Sequence, residues 1–237
     1  MYRGLVCDAA ERVFAAHGFV RARMSQIARE SGVSIGTIYR VFPGRKDEIY
    51  RAIQENRGTE LLGRTRAIGE AAWRQSGDLL DAMLAGIAAT VDFFAAHPDF
   101  LRLVLREEKA WGVSAKRRSA EQTAMWHEGV VGIVSAMRFG IAERLLVDDD
   151  AETMARTWVA IQEAHLGQWV EDGMRATPAE VTARFQRQML RAFCRPEVLA
   201  TRRLPEVTTT PEPQPDTLPP AGRTPDSARA TERRRES

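Results

Sequence analysis

The stretch Met24–Phe42, MSQIARESGVSIGTIYRVF, decides how this chain is read. Two short helical patterns flank a Gly32-Val33-Ser34 break, and neither is long enough to be stable alone in water. They must lean on each other. Ala28 is small where two helices cross closely, Gly32 can take the positive φ of a tight turn, and Ile27, Val33 and Ile38 supply a shared miniature core. Ser34 is placed to cap a second helix that begins near Ile35. Two short helices locked at a steep angle make a helix-turn-helix, whose second helix can enter the major groove of DNA. The plainer reading of the same spacing is an αα-hairpin of an ordinary helical protein. Gly36, Thr37, Tyr39 and Arg40, small, hydroxyl-bearing and cationic residues on the outer side of the second helix, favour the first reading.

Working outward, the 237-residue chain is 44% hydrophobic, enough for a sizeable core. Up to about Arg195 its apolar residues recur at helical spacings and no strand pattern competes, so the expected class is all-α. Leu5, Val6, Ala9, Ala10, Val13 and Phe14 mark a first helix stopped by Gly18. After Pro43-Gly44 the pattern resumes and either runs unbroken to Trp73 or bends near Gly58. Further helices are expected over Leu79–Phe94, from Pro98, and over 117–146, 150–173 and 178–194. Eight of the eleven prolines fall after Arg195 among Thr, Glu and Arg, a composition that cannot bury enough surface to offset its ordering entropy. The expected organisation is an amino-terminal helix-turn-helix domain of three helices at 1–58, a larger helical domain at 59–195, and a disordered tail at 196–237.

Charge is uneven across these boundaries. Residues 1–58 hold ten Lys/Arg against six Asp/Glu, residues 59–195 seventeen against nineteen, and the tail seven of each. The positive excess lies at the amino end, where phosphates would be attracted. Two distant cysteines, Cys7 and Cys194, suggest neither a disulfide framework nor a zinc site. Charges interrupt the apolar positions of the first residues, and no later run is read as approaching membrane-spanning length, so a cytoplasmic protein without a membrane partner is expected.

Gly18-Phe19, Met24, Ile27-Ala28, Gly32-Val33-Ser34, Thr37-Ile38-Tyr39 and Phe42-Pro43, followed by a basic residue opening the next helix, resemble the amino-terminal domain of the TetR family of bacterial transcriptional regulators over about Leu5 to Ile53. FFAAHPDFLRLVLREE, Phe93–Glu108, is similar to a stretch of that family's regulatory domains. The resemblance implies phosphate contacts from Thr37 and Tyr39, base reading by Ser34, Ile35, Gly36 and Arg40, and a phosphate-binding cation at Arg45 or Lys46. The choice between those two stays open because FPGRKDEI is one residue longer than the usual arrangement. Before the second helix a Ser or Thr cap is common; here stand Ala22-Arg23, so Ser25 is the substitute cap and Arg23 a charged phosphate contact. The family also implies a homodimer on a palindromic double-stranded DNA operator, joined through the last two core helices. A small-molecule effector would sit in a carboxy-terminal pocket, for which Phe93, Trp111, Trp126 and Met154 are candidate linings, and repression is the expected outcome.

Other conspicuous residues read more plainly. Trp73, Trp126, Trp158 and Trp169 fall at core spacing. His165, near Gln162 and Glu163, is one incomplete copy of a carboxylate-bundle metal motif. Asp148-Asp149-Asp150 suits a helix start, and His97 before Pro98 a helix end. No nucleophile, metalloprotease, phosphate-loop or dinucleotide pattern occurs, so no catalytic residue, metal or cofactor is assigned. The rival readings are an all-α ligand-binding or scaffolding protein without DNA binding and, further off, a helical metalloenzyme.

Overall fold

The computed structural model describes residues 2–106 and 120–206, with the side chains of 120–126 and of 128 left out. Its elements, in order, are α1 (Tyr2–His17), α2 (Met24–Ser31), α3 (Ile35–Val41), α4 (Arg45–Ser76), α5 (Leu79–Ala96), α6 (Pro98–Arg106), α7 (Ala120–Ala142), α8 (Ala151–Glu171), α9 (Pro178–Phe193) and α10 (Pro196–Thr201). Extended pairing among the described residues is one isolated bridge, Leu146 to Cys194. The all-α class and the helix-turn-helix followed by a larger helical part are as expected.

Local chemistry explains the boundaries. Gly18 (φ 76°) ends α1 and donates its N–H to the Phe14 carbonyl at 2.8 Å, and Gly32 (φ 66°) ends α2 in the left-handed conformation. Ser34 Oγ accepts from the Thr37 N–H at 3.2 Å to start α3. Asp78 and Asp150 accept from Leu80 and Thr153 N–H groups, both at 2.7 Å, to start α5 and α8. Thr177 and Glu180 cap α9 reciprocally. His97 closes α5, donating its backbone N–H to the Phe93 carbonyl, and Pro98 opens α6.

α4 settles the Gly58 alternative, because its 32 residues run unbroken across the expected domain boundary. At the standard helical rise they make a rod of about 48 Å. Its first half closes the core of the head, where Ile49 and Ile53 meet Phe14, Ile27, Ile38 and Phe42. Its second half packs along α5. α5 reaches the length and apolarity of a membrane span, which the sequence reading overlooked because Asp81 and Asp92 punctuate the run. Contacts with α4, α6, α7 and α9 account for that apolarity as core packing.

Three further expectations change. Residues 196–206 are structured: α10 packs Val198 and Leu199 on the core, Arg187 donates to the Pro205 carbonyl, and Arg202 pairs with Asp78 and Asp81. The composition shift at Pro196 therefore marks more turn-forming residues, not the end of order. Trp73 is 39% exposed, edge-on to Phe139 at 5.6 Å between ring centroids, and is not a core residue. Trp158 and Trp169 are buried, the latter donating its indole N–H to the Ala176 carbonyl.

A largely buried ion pair ties the head to the body. Arg57 of α4 donates to Glu11 of α1 at 3.0 Å and to Glu60 at 3.2 Å, and Glu60 lies 3.5 Å from His97 Nε2. Burial pushes the Glu11 carboxyl above its ordinary range against the pull of Arg57. Burial alone would lower the Arg57 guanidinium, but Glu11 and Glu60 more than offset it and its affinity for the proton rises.

Candidate nucleic-acid interface and cavity

α3 has seven residues, too few for independent stability, so its orientation is set by what it buries. Ile38 is fully buried, Val33 and Phe42 sit under its two ends, and the opposite side is left to solvent. On that side Ser34, Ile35, Gly36, Tyr39 and Arg40 are exposed and Thr37 half-exposed. Three of them form a chain of hydrogen bonds: Ser34 Oγ donates to Thr37 Oγ1 at 2.9 Å, and Arg40 Nη2 donates to the same oxygen at 3.2 Å. The guanidinium is thereby held over its own helix, which reduces the rotamer entropy lost on contact with a ligand.

The turn into α4 decides between the two adjacent cations. The Arg45 N–H donates to the Phe42 carbonyl at 2.9 Å, closing Phe42-Pro43-Gly44-Arg45, and Arg45 takes φ 56°. That conformation is costly for a residue bearing a side chain. Arg45 is exposed, its guanidinium 5.5 Å from the Tyr39 ring centroid. Lys46 turns the other way. Its Nζ donates to the carbonyls of Val20 and Ala22 at 3.0 and 3.1 Å and lies 4.7 Å from the Phe19 ring. It braces the α1–α2 turn, which corrects its place beside Arg45 as an outward cation.

Arg23 stands exposed at the N-cap of α2, with its own N–H donating to Gln26 Oε1 at 2.8 Å. A guanidinium has no acceptor to offer the first turn, so the Gln26 side chain alone closes this end of the helix. Ser25 lies inside the first turn of α2 and is exposed, so it is not the cap the sequence suggested. Arg3 of α1 reaches the same region, donating to the Val41 carbonyl at 3.3 Å over the Phe42 ring. It was missed because only folding brings the start of α1 beside the end of α3.

A second feature lies in the body: a cavity of about 590 Å³ walled by α4, α5, α6, α7 and α8. Its lining is mainly apolar, including Leu62, Met83, Ile87, Leu101, Ile133 and Trp158. Gly86 and Gly132 face open space, where an added Cβ would meet nothing within 4 Å, so the absence of side chains there makes room. The candidate linings read from the sequence do not build this wall. Phe93 is fully buried against Phe94, Phe100 and His97, and Met154 is buried one turn before Trp158. Trp111 and the side chain of Trp126 lie outside the described residues. A recurrence of glycine on facing helices was the available signal, but it becomes one only when the helices are paired.

The His165 ring bonds to Gln188 Oε1 at 2.7 Å across α8 and α9, an interhelical tie in place of the metal-bundle role.

Residues 6–53 match the family described as bacterial regulatory proteins, tetR family. Over 136 residues the chain is 26% identical to the HTH-type transcriptional repressor SCO4008 of Streptomyces coelicolor, covering 57% of this chain and 65% of that protein, a little under two thirds of its length. Among solved structures, a putative tetR family transcription regulator from Shewanella is similar at 19% identity with a TM-score of 0.65, covering 82% of this chain and 98% of that one. The ketosteroid transcriptional regulator KstR2 of Mycobacterium tuberculosis is similar at 18% identity and a TM-score of 0.66, covering 82% and 96%. The fatty acid degradation regulator FadR from Bacillus halodurans is similar at 16% and 0.66, covering 80% and 94%. Identities this low speak to the fold.

Proposed function

From a chain whose residues 6–53 place it in the tetR family of bacterial regulatory proteins, we propose a cytoplasmic, homodimeric transcriptional repressor that binds a palindromic DNA operator and is released by a small molecule held in the body cavity. The observation that carries this reading is the outward row of α3, with Arg40 poised on Thr37 while Ile38 anchors the helix. Gly36 lets the backbone approach base edges, Arg40 offers a fork suited to guanine, and Thr37, Tyr39, Arg45 and Arg23 meet phosphates. One recognition helix of this size makes too few base contacts for genomic selectivity, so two copies reading half-sites about 34 Å apart are required. The outer faces of α8 and α9 are the proposed surface for pairing them.

Cavity and head share an element. Leu101, Val104 and Leu105 of α6 line the cavity, while Arg106 at its end donates to the Ala15 carbonyl of α1 at 2.9 Å. An effector that binds better when α6 is shifted would alter the separation of the two heads and weaken DNA binding by about 1–3 kcal/mol. Recovery of bound fragments from random genomic DNA, followed by titration of the recovered site, tests the proposal. An enriched palindrome is expected, with Arg40→Ala relaxing base preference at one position of each half-site. Equal binding of all fragments by wild type and variant would leave a helical ligand-binding protein without operator recognition.

A further inference from the structure

The cavity wall is richer in hydrogen-bond acceptors than in donors. Thr65 and Thr90 spend their hydroxyl protons on carbonyls of their own helices, at 2.9 Å to Leu61 and 2.9 Å to Gly86, so only oxygen lone pairs remain to face a guest. The one cation among the described lining residues, Arg66, donates to Glu70 at 2.8 Å in an i,i+4 pair on an open edge, with both side chains more than half exposed. On α8 the stripe facing the cavity is Trp158, Val159, Gln162, Glu163 and Leu166. A carboxamide and a carboxylate there interrupt an apolar row, one turn from hydrophobic residues on either side. The ionisable groups of the wall are thus two carboxylates against one guanidinium. An anionic guest would bring a third negative charge into a low-dielectric space, whereas a cation would balance the wall.

Resting on the proposed effector role of this cavity, we infer that its effector is a lipophilic cation, with an apolar body filling the space of about 590 Å³ and a protonated nitrogen directed to Glu163 within reach of the Trp158 face. The volume suits a drug-sized guest. Glu163 is then the residue that sets selectivity for charge, and the apolar wall supplies affinity without regard to the head group.

The test uses the full-length protein and three probes with one dodecyl chain and different heads, dodecylammonium, dodecanol and dodecanoate, titrated calorimetrically below their micellar concentrations. The ammonium should bind about tenfold or more tighter than the carboxylate, and Glu163→Gln should bring that ratio below about threefold while leaving dodecanol affinity unchanged. A carboxylate binding as tightly as the ammonium, or a preference that survives Glu163→Gln, overturns the inference while the cavity remains an effector site. Binding of none of the three overturns the inference and removes the cavity from the proposed function as well. Thermal melting of Glu163→Gln in parallel, expected to match wild type, separates lost selectivity from lost fold.

Discussion

Lys46→Ala and Arg45→Gly alter neighbouring cations and are expected to act in opposite ways. Lys46 makes two charge-assisted hydrogen bonds to the Val20 and Ala22 carbonyls and lies over the Phe19 ring. Val20 is 84% exposed, so water can replace part of what is lost. Taking about 1 kcal/mol for the two bonds after that replacement and about 0.5–1 kcal/mol for the cation–ring contact gives a loss of ~2 kcal/mol, or roughly 4–8 °C in Tm for a chain of this size. The salt dependence of operator affinity should not change, because Lys46 neutralises no phosphate. Arg45→Gly should keep Tm at or slightly above wild type, since glycine relieves the left-handed strain of about 1 kcal/mol. It should flatten the slope of log K against log salt by about 0.9 per protomer. The assays are thermal melting by circular dichroism and fluorescence anisotropy on one operator at four salt concentrations. A Lys46→Ala variant that melts like wild type and binds with a shallower slope would refute the turn geometry and, with it, the assignment of Arg45 to the DNA backbone.

Arg57→Ala strands the buried Glu11 carboxylate and should cost about 3–5 kcal/mol in urea unfolding, while the double change Glu11→Leu with Arg57→Met should cost far less. Two glycines of α7 should respond with opposite signs. Gly140→Ala would place a Cβ 2.6 Å from Leu146 Cδ1, whereas Gly132→Ala projects into open space. In the same unfolding assay the first should destabilise by about 1–3 kcal/mol and the second stabilise by about 0.5–1 kcal/mol. Burial, opposed by the bond to Gln188, lowers the proton affinity of His165, and Arg184 lowers it further. Its contribution to stability is therefore complete above the ordinary histidine pKa and is lost as pH falls through the lowered one. Tm should drop between about pH 7.5 and about pH 5.5, and His165→Gln should flatten that part of the profile.

The local signals in this sequence act over three or four residues, and those were legible. Gly18 and Gly32 end helices because the left-handed conformation is open to them, and Ser34 starts α3 because its hydroxyl reaches the Thr37 N–H. The outward residues of α3 follow from the same periodicity once Ile38 is placed inside. What needed the tertiary structure is whatever depends on the direction of the backbone or on helices distant in the chain. Arg45 and Lys46 are adjacent and alike in charge, and only the left-handed backbone at Arg45 sends one out to solvent and the other onto the α1–α2 turn. The cavity is walled by five helices between Leu61 and Leu166, so its volume is a difference between packed surfaces that no single periodicity encodes. Phe93 and Met154 obey helical spacing as well as Phe94 and Trp158 do, but rotation of each helix against its neighbours turns one pair into the core and the other toward the void.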